Sequence, residues 1–588
     1  MTTDQNYQQI YRVGGMLDAG FVGQITYTIS LDQVYDELDI HFSFDKRLYS
    51  ESDVTPELID KLQTLCTAKY DAPTYPVEEF RQTILHEMKT EIHTMAELND
   101  NFIGCIHRQL TDRHMLYTKE FTSDGCLAQD TFSGVLKVTV LVFNVLLDNT
   151  QYTLTVSGHP VGQGVIAPNF NLMDTVKTAA GNAGASNAAG SADNSCDAES
   201  APASAVATAG SSGVSGAGSA ATAGDSSTTG SSSAGNTVTA STRFKRLELH
   251  NHTVESDGSL TCQELTEYLA ADHVDAFAIT DHNTTSGQKK IEQLLEEKHY
   301  PISLIRGMEY TTYFGHILCL NLAKYVPWNS IDQHRPELLF EAAREKGALV
   351  GIAHPFSYGD PFARGCRFEM TISDYSKVDF IEIFNNPEPL HEVNERGTNL
   401  WMSLIFSGYQ ITATSGMDLH NRAKLAGCYA TYIEGKNGGN IASELDTAIH
   451  THRTWVSKGA LLLTEVLPET NELLLTFTDA HKPGFAVPKT AQVVLKGKDK
   501  TFTTSVSLDK PVRVSLNQLS GTDPIIPLLY EAPGINGAAT VSNAAHVAAS
   551  TSCGSAADTS SAAGQLKEID ALPAIEGLLC VSPVLYRD

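Results

Sequence analysis

RFKRLELHNHTVESDGSLTCQELTEYLAADHVDAFAITDHNT, residues 243–284, reads as one complete strand–helix–strand unit. FKRLELH and DAFAITDH are short apolar strands, and CQELTEYLAADH between them carries apolar residues at helical spacing. Both strands end in chemistry-bearing side chains. His250 and His252 stand two apart, and strand alternation puts both imidazoles on one face. Asp257 follows in the SDG turn, and the second strand ends in Thr280-Asp281-His282-Asn283.

The same alternation runs on to about Val466. The strands SLIRGMEY, GHILCLNL, ALVGIAHP, DFIEIFN and QITATSGMD alternate with the helical stretches GQKKIEQLLEEKH, PELLFEAAREKG and NLWMSLIFSG. Repeated βα units imply an α/β region with a parallel sheet, and seven strands suit a closed or nearly closed barrel over residues 243–466. Such barrels place catalytic groups on the loops leaving the C-terminal strand ends. Those ends here supply Glu309 in GMEY, His316 opening GHILCL, His354 in AHP, and the Asp418/His420 pair in GMDLH. With His250, His252, Asp257 and His282, the set contains only nitrogen and oxygen donors and exceeds the needs of one metal. It suits two or three divalent ions with bridging carboxylates. Mixed imidazole and carboxylate ligands accept Mn, Zn or Fe.

The blocks HNHTVESDGSL, AITDHNT, GMEYTT, GHILCL, AHPF, FIEIFN and DLH, in this order, resemble the PHP (polymerase and histidinol phosphatase) superfamily of metallohydrolases, most closely the CehA/McbA type. AIHTHRTWVSKG resembles the stretch that follows the last metal motif in those proteins. The resemblance implies a distorted (β/α)7 barrel with a di- or trinuclear site. It carries metal ligation over to His250, His252, Asp257, His282, Glu309, His316, His354, Asp418 and His420. Asp281, Glu309 and His354 would form the catalytic set: Glu309 would bridge metals, a bridging hydroxide would be the nucleophile, and Asp281 would orient an imidazole. Met417 departs from the pattern, standing where relatives often have a small polar residue.

The flanks differ. Residues 1–170 read mostly as strands (GQITYTISL, LDIHFSF, HMLYTKEFT, GVLKVTVLVFNVLL, QYTLTVSG), with one helix from Val77 to Asn101 marked by Phe80, Ile84, Leu85, Met88, Ile92 and Met95. A β-sandwich with one helical insertion is expected. Residues 171–242, dominated by Ala, Ser and Gly from 177 onward, read as a flexible linker that cannot bury enough apolar surface to fold. Residues 467–588 return to strands and suggest a small β-sandwich with a low-complexity loop at 534–564.

At 588 residues the chain suggests three or four domains, and its formal net charge of −28 gives no electrostatic footprint for nucleic acid or an anionic membrane. The opening MTTDQNYQQIYRVGG lacks the pattern of a secretory signal, and the apolar run Val135 to Leu147 is too short to span a bilayer. Ten scattered cysteines, never as CxxC, read as reduced thiols. A cytoplasmic chain acting on a small, phosphorylated substrate is expected.

Other motifs fall away. His86-Glu87 with His93 has HEx5H spacing, whereas a metalloprotease helix needs its two histidines one turn apart. His450 and His452 form a second HxH inside a helical stretch, where residues two apart do not share a face. Asn283, Arg364, Asn385 and Arg422 lie at or near metal-bearing strand ends as candidate substrate contacts, since an arginine there can hold a phosphate bidentately. Glu382 in FIEIFN, also a candidate substrate contact, reads as a partner of a ligand or as a barrel-core acid. The ligand set points first to a phosphoesterase. Carbamate, ester or amide hydrolysis suits the same site, and a non-catalytic scaffold with β-sandwich binding modules is the alternative of another class.

Overall fold

A computed structural model describes residues 7–70, 75–108, 110–161, 243–329, 331, 333–385, 392–482, 485–521, 523–532, 567–568 and 575–586. The expected linker at 171–242 and loop at 534–564 lie outside the described residues.

Seven N-terminal strands, β1 (Gln8–Leu17), β2 (Gly23–Phe44), β3 (Glu91–Leu98), β4 (Asn101–Ile106), β5 (Asp112–Tyr117), β6 (Phe132–Asn144) and β7 (Thr150–Pro160), form one antiparallel sheet. Its order is β1-β7-β2-β6-β3-β4, with β5 on β2. A single sheet replaces the expected sandwich because GQITYTISL and LDIHFSF are not separated by a turn. They run on as one 22-residue strand that passes a register shift between Leu31 and Tyr35. The expected helix to Asn101 is also corrected: helix Val77–His86 stops, and residues 91–98 are strand. Nearly every side chain of β3 is buried, so its apolar residues also satisfy a helical spacing. A second helix, Pro56–Tyr70, buries Ile59, Leu62, Cys66 and Tyr70 along one stripe.

The central strands are β8 (Arg243–Glu248), β9 (Ala276–Ile279), β10 (Ser303–Thr312), β11 (Gly315–Leu320), β12 (Leu349–Ile352), β13 (Phe380–Asn385) and β14 (Thr412–Gly416). They pair in sequence order. β8, β9 and β10 are parallel, as are β12, β13 and β14. The expectation of an all-parallel sheet fails at β11, which turns back on β10 as a hairpin and runs antiparallel to both neighbours. No closed ladder of strands is found among the described residues. At one rim, however, the bridge Asn251–Leu419 ties the segment after β8 to the segment after β14. There His252 N donates to Leu419 O at 3.0 Å, and Leu419 N donates to His250 O at 3.1 Å. Helix Cys262–Ala271, which follows, begins with a capping box formed by Thr261 and Glu264.

The sheet continues past β8 through β15 (Ala430–Gly435) and β16 (Thr454–Ser457) into C-terminal strands. Three of those, β17 (Ala460–Leu467), β18 (Glu472–Asp479) and β21 (Val512–Ser515), form a separate small sheet. The others, β19 (Thr490–Lys496), β20 (Thr501–Ser507), β22 (Ile526–Glu531), β23 (Lys567–Glu568) and β24 (Leu578–Val581), extend the central sheet to 14 strands. Leu461, Phe477, Val493, Leu529 and Trp455 share one core between these layers, so one layer is continuous with the central sheet. Met95, Leu141 and Phe143 of the N-terminal sheet likewise share a core with Met308, Tyr310 and Trp328. Among the described residues no helix is long and apolar enough to cross a membrane.

Candidate metal centre

The rim joined by the Asn251–Leu419 bridge is where the candidate groups meet. His250 and His252 leave β8, His282 leaves β9, Glu309 and His316 stand on the β10–β11 hairpin, His354 leaves β12, and Asp418 and His420 leave β14. Asp257 sits in the loop before helix Cys262–Ala271. Two strand-end residues adopt left-handed backbone, His354 at φ 23° and Asp418 at φ 50°. Such conformations persist only where the surroundings enforce them.

Glu309, fully buried, is the hub. Its Oε1 lies 2.8 Å from His316 Nδ1 and 3.0 Å from His354 Nε2. Its Oε2 lies 2.9 Å from His282 Nδ1, 3.2 Å from His250 Nε2 and 3.3 Å from His252 Nε2. Asp418 Oδ1 is 3.0 Å from His252 Nε2 and 3.4 Å from His250 Nε2. Asp257 Oδ1 is 3.3 Å from His420 Nε2 and 3.6 Å from His282 Nε2. The donors overlap in three groups, each within 4.8 Å: His252/Asp257/His282/His420, His250/His252/Glu309/Asp418 and His282/Glu309/His316. The structure thus brings together all nine residues expected to bind metal.

Burial alone would raise the three carboxyls, but facing imidazoles reverse this. His316 and His250 hold Glu309 well below the usual carboxylate range, His250 and His252 do so for Asp418, and His282 and His420 for Asp257. Against its own burial, His420 is raised to about 10 by Asp257. Burial lowers His252 well below the usual value, and its neighbours His282 and His420 push the same way. Buried polar atoms are normally satisfied, yet His250 Nε2, His252 Nε2, His316 Nε2 and Glu309 Oε2 are buried without a hydrogen bond. Imidazole nitrogens and carboxylate oxygens without thiolate are the donor set of Zn, Mn and Fe sites. The residues present fit divalent cations.

Of the remaining candidates, Glu382 supports the centre directly, its Oε1 lying 3.1 Å from His250 Nδ1. Asp281 does not orient an imidazole as expected. Its carboxylate accepts Thr253 N at 2.7 Å, Thr253 Oγ1 at 2.8 Å and Ser256 Oγ at 2.7 Å, and so shapes the loop that carries Asp257. Burial raises it to about 6 against those hydrogen bonds. Asn283 is a strap, not a substrate contact: Nδ2 donates to Thr311 O at 2.9 Å and Oδ1 accepts Thr311 N at 3.1 Å. Asn385 is also buried, its Nδ2 donating to Glu382 Oε2 at 2.9 Å. Arg422 is exposed and stacks over the Tyr268 ring at 5.8 Å, outside the pocket. Arg364 alone of the polar contact candidates lines the pocket, with Asp360 at 3.0 Å.

That pocket, about 480 Å³ including its open mouth, contains residues the sequence reading passed over: Lys89, Glu91 and His107 of the N-terminal region line it beside Arg364 and Cys366. Glu91 and His93 were hidden by reading residues 77–101 as a helix. On a strand, the E-x-H spacing puts both on one face, the same signal that marked His250 and His252.

A family model described as a family of unknown function (DUF6669) matches residues 7–160. An uncharacterized protein of Methanocaldococcus jannaschii is 30% identical over 112 residues, 19% of this chain and 58% of that one. A 5′-3′ exoribonuclease of Haemophilus influenzae is 36% identical over 141 residues, 23% of this chain and 50% of that one. The chain therefore spans between half and three-fifths of these two relatives. Among solved structures, a two-domain protein of Bacteroides vulgatus containing a predicted PHP-like metal-dependent phosphoesterase aligns at TM-score 0.31 with 14% identity, over 49% of this chain and 90% of that one. An amidohydrolase of Chromobacterium violaceum aligns at TM-score 0.23 with 16% identity, over 30% and 87%.

Proposed function

We propose that the chain is a metal-dependent hydrolase of phosphate esters, of the PHP type, acting at the Glu309 centre. One observation carries the reading: nine His, Asp and Glu side chains from separate strand ends converge on one buried point with imidazole and carboxylate atoms facing one another. His250, His252, Asp257, His282, Glu309, His316, His354, Asp418 and His420 would hold two or three divalent ions. Bound there, such ions lower the pKa of water and polarise a phosphoryl oxygen.

The chain's own residues do the rest. Glu309 sits where it can serve two ions at once, since Oε1 faces His316 and His354 while Oε2 faces His282, His250 and His252. Glu382 fixes the ring of His250, and Asp281 fixes the loop of Asp257. Arg364 and Lys89 give the pocket two cationic walls suited to an anionic group. Eight free cysteines among the described residues suit a reducing, cytoplasmic setting.

A second reading is removal of nucleotides from the 5′ end of RNA, favoured by the sequence relative named as a 5′-3′ exoribonuclease. A chain charge of −28 weighs against extended nucleic-acid contact. A panel of phosphomonoesters, phosphodiesters, carboxylesters, carbamates and a 5′-phosphorylated oligoribonucleotide, assayed with added Mn or Zn, separates these. Turnover of a phosphate ester, lost in Asp418→Ala and His282→Ala, is expected. Turnover confined to carbamates, or retained in full by both variants, overturns the proposal.

A further inference from the structure

The N-terminal sheet brings a second set of ligand-type side chains to the same place. Glu91 and His93 share one face of β3, with His93 Nε2 3.1 Å from Glu91 Oε1. Antiparallel pairing of β3 with β4 sets Thr94 against Ile106, so the residues just beyond, His93 and His107, come side by side with ring centroids 3.9 Å apart. All three side chains are buried, and their donor atoms lie within 4.8 Å of one another. Two imidazoles and a carboxylate make the His2Glu donor set that binds zinc with one position left open. Glu91 and His107 both line the pocket over the Glu309 centre.

The link to that centre is Asp257. Its Oδ1 faces His420 at 3.3 Å and His282 at 3.6 Å, while its Oδ2 lies 3.4 Å from His107 Nε2. The His107 ring also stacks on His282, with centroids 4.1 Å apart and planes inclined 26°. One carboxylate therefore presents an oxygen to each group of histidines.

We propose that Glu91, His93 and His107 form a further divalent-cation site, and that Asp257 joins it to the Glu309 centre. The metal cluster then spans two regions of the chain, and the N-terminal sheet is a working wall of the pocket. The three donors stand on their own geometry, whereas the link through Asp257 rests on the function proposed above.

Cobalt(II) titration of the full chain, followed by its visible absorption, tests this. Glu91→Gln and His107→Gln, with wild-type near-ultraviolet circular dichroism, are each expected to bind one equivalent fewer than wild type. His250→Gln/Asp418→Asn is expected to keep that equivalent. Undiminished binding by Glu91→Gln and His107→Gln overturns the inference. Anomalous diffraction from zinc-soaked wild-type crystals gives the same answer without a variant: a peak between Glu91, His93 and His107 is expected, and its absence is contrary. An ion found there with none around Glu309 would sink the proposed hydrolase and leave this site standing.

Discussion

Glu382 Oε1 lies 3.1 Å from His250 Nδ1, both groups buried, and this contact turns the His250 ring so that Nε2 faces Glu309 and Asp418. The other carboxylate oxygen accepts His354 N at 3.0 Å, so one acid steadies two of the candidate ligands. Carboxylates behind metal-binding histidines commonly contribute about 10–100-fold in metal affinity. Glu382→Gln is therefore expected to weaken divalent-metal binding by about that factor while the chain stays folded. Competition with a chromophoric chelator measures it, and an unchanged affinity contradicts the role.

Asp281 acts one step further out. Replacing it with Ala strands three donors, Thr253 N, Thr253 Oγ1 and Ser256 Oγ, in a buried loop. Each buried donor left without a partner costs about 1–3 kcal/mol. Asp281→Ala should lower stability in urea unfolding and loosen metal binding through Asp257. A variant that loses stability but binds metal as wild type does would show that the loop does not position Asp257.

The N-terminal and central regions meet tightly at Gly125. Its φ is +79°, its N donates to Glu255 Oε2 at 3.0 Å, and a Cβ there would stand 2.3 Å from Cys105 O and 2.9 Å from Glu255 O. Gly125→Ala is expected to destabilise the protein by more than about 1 kcal/mol, because a side chain is strained at this φ and meets backbone that cannot yield. Thermal unfolding checks this, and an unchanged midpoint argues that the two regions are not held together here.

Acid sensitivity should arise partly at Asp36, which sits 2.7 Å from His159 Nδ1 and 2.8 Å from Lys119 Nζ. Burial pushes the carboxyl up, but Lys119 and His159 outweigh it and leave it below its ordinary value. A depressed acid contributes stability that is present above its unfolded pKa, about 3.9, and lost as pH falls through the folded value. Asp36→Asn should therefore be less stable than wild type at neutral pH, with the gap closing as pH drops below about 4. A gap that is constant with pH contradicts the assignment.

Much of the rim was legible because its candidate ligands lie at strand ends in short motifs. The HxH of His250 and His252 and the DxH of Asp418 and His420 stand out by spacing, but both pairs lie just past β8 and β14, where the Asn251–Leu419 bridge brings them together. The hairpin of β10 and β11 was less legible, since Tyr313-Phe314 between them contains neither Gly nor Asn. What sequence spacing could not supply was which elements pack on the rim. Glu91, His93 and His107 are far from the rim in sequence and reach it because the N-terminal sheet shares a core with β10 and β11. β3 hid its own E-x-H pair, since a strand buried on both faces has no alternation and its apolar residues fit a helix equally well. Asn283, Asn385 and Arg422 were chosen for lying near ligands in sequence, yet two of them turn into backbone and side-chain hydrogen bonds and the third faces solvent.

On the proposed function, the buried His, Asp and Glu side chains around Glu309 hold the ions that drive hydrolysis. The most direct test is metal content by inductively coupled plasma mass spectrometry, measured on the same preparation as phosphate-ester turnover, before and after chelation and in Asp418→Ala. Two or more divalent ions per chain are expected, with ions and turnover lost together on chelation, both restored by Mn or Zn, and neither restored in Asp418→Ala. Full turnover by chelated, metal-free protein would contradict it.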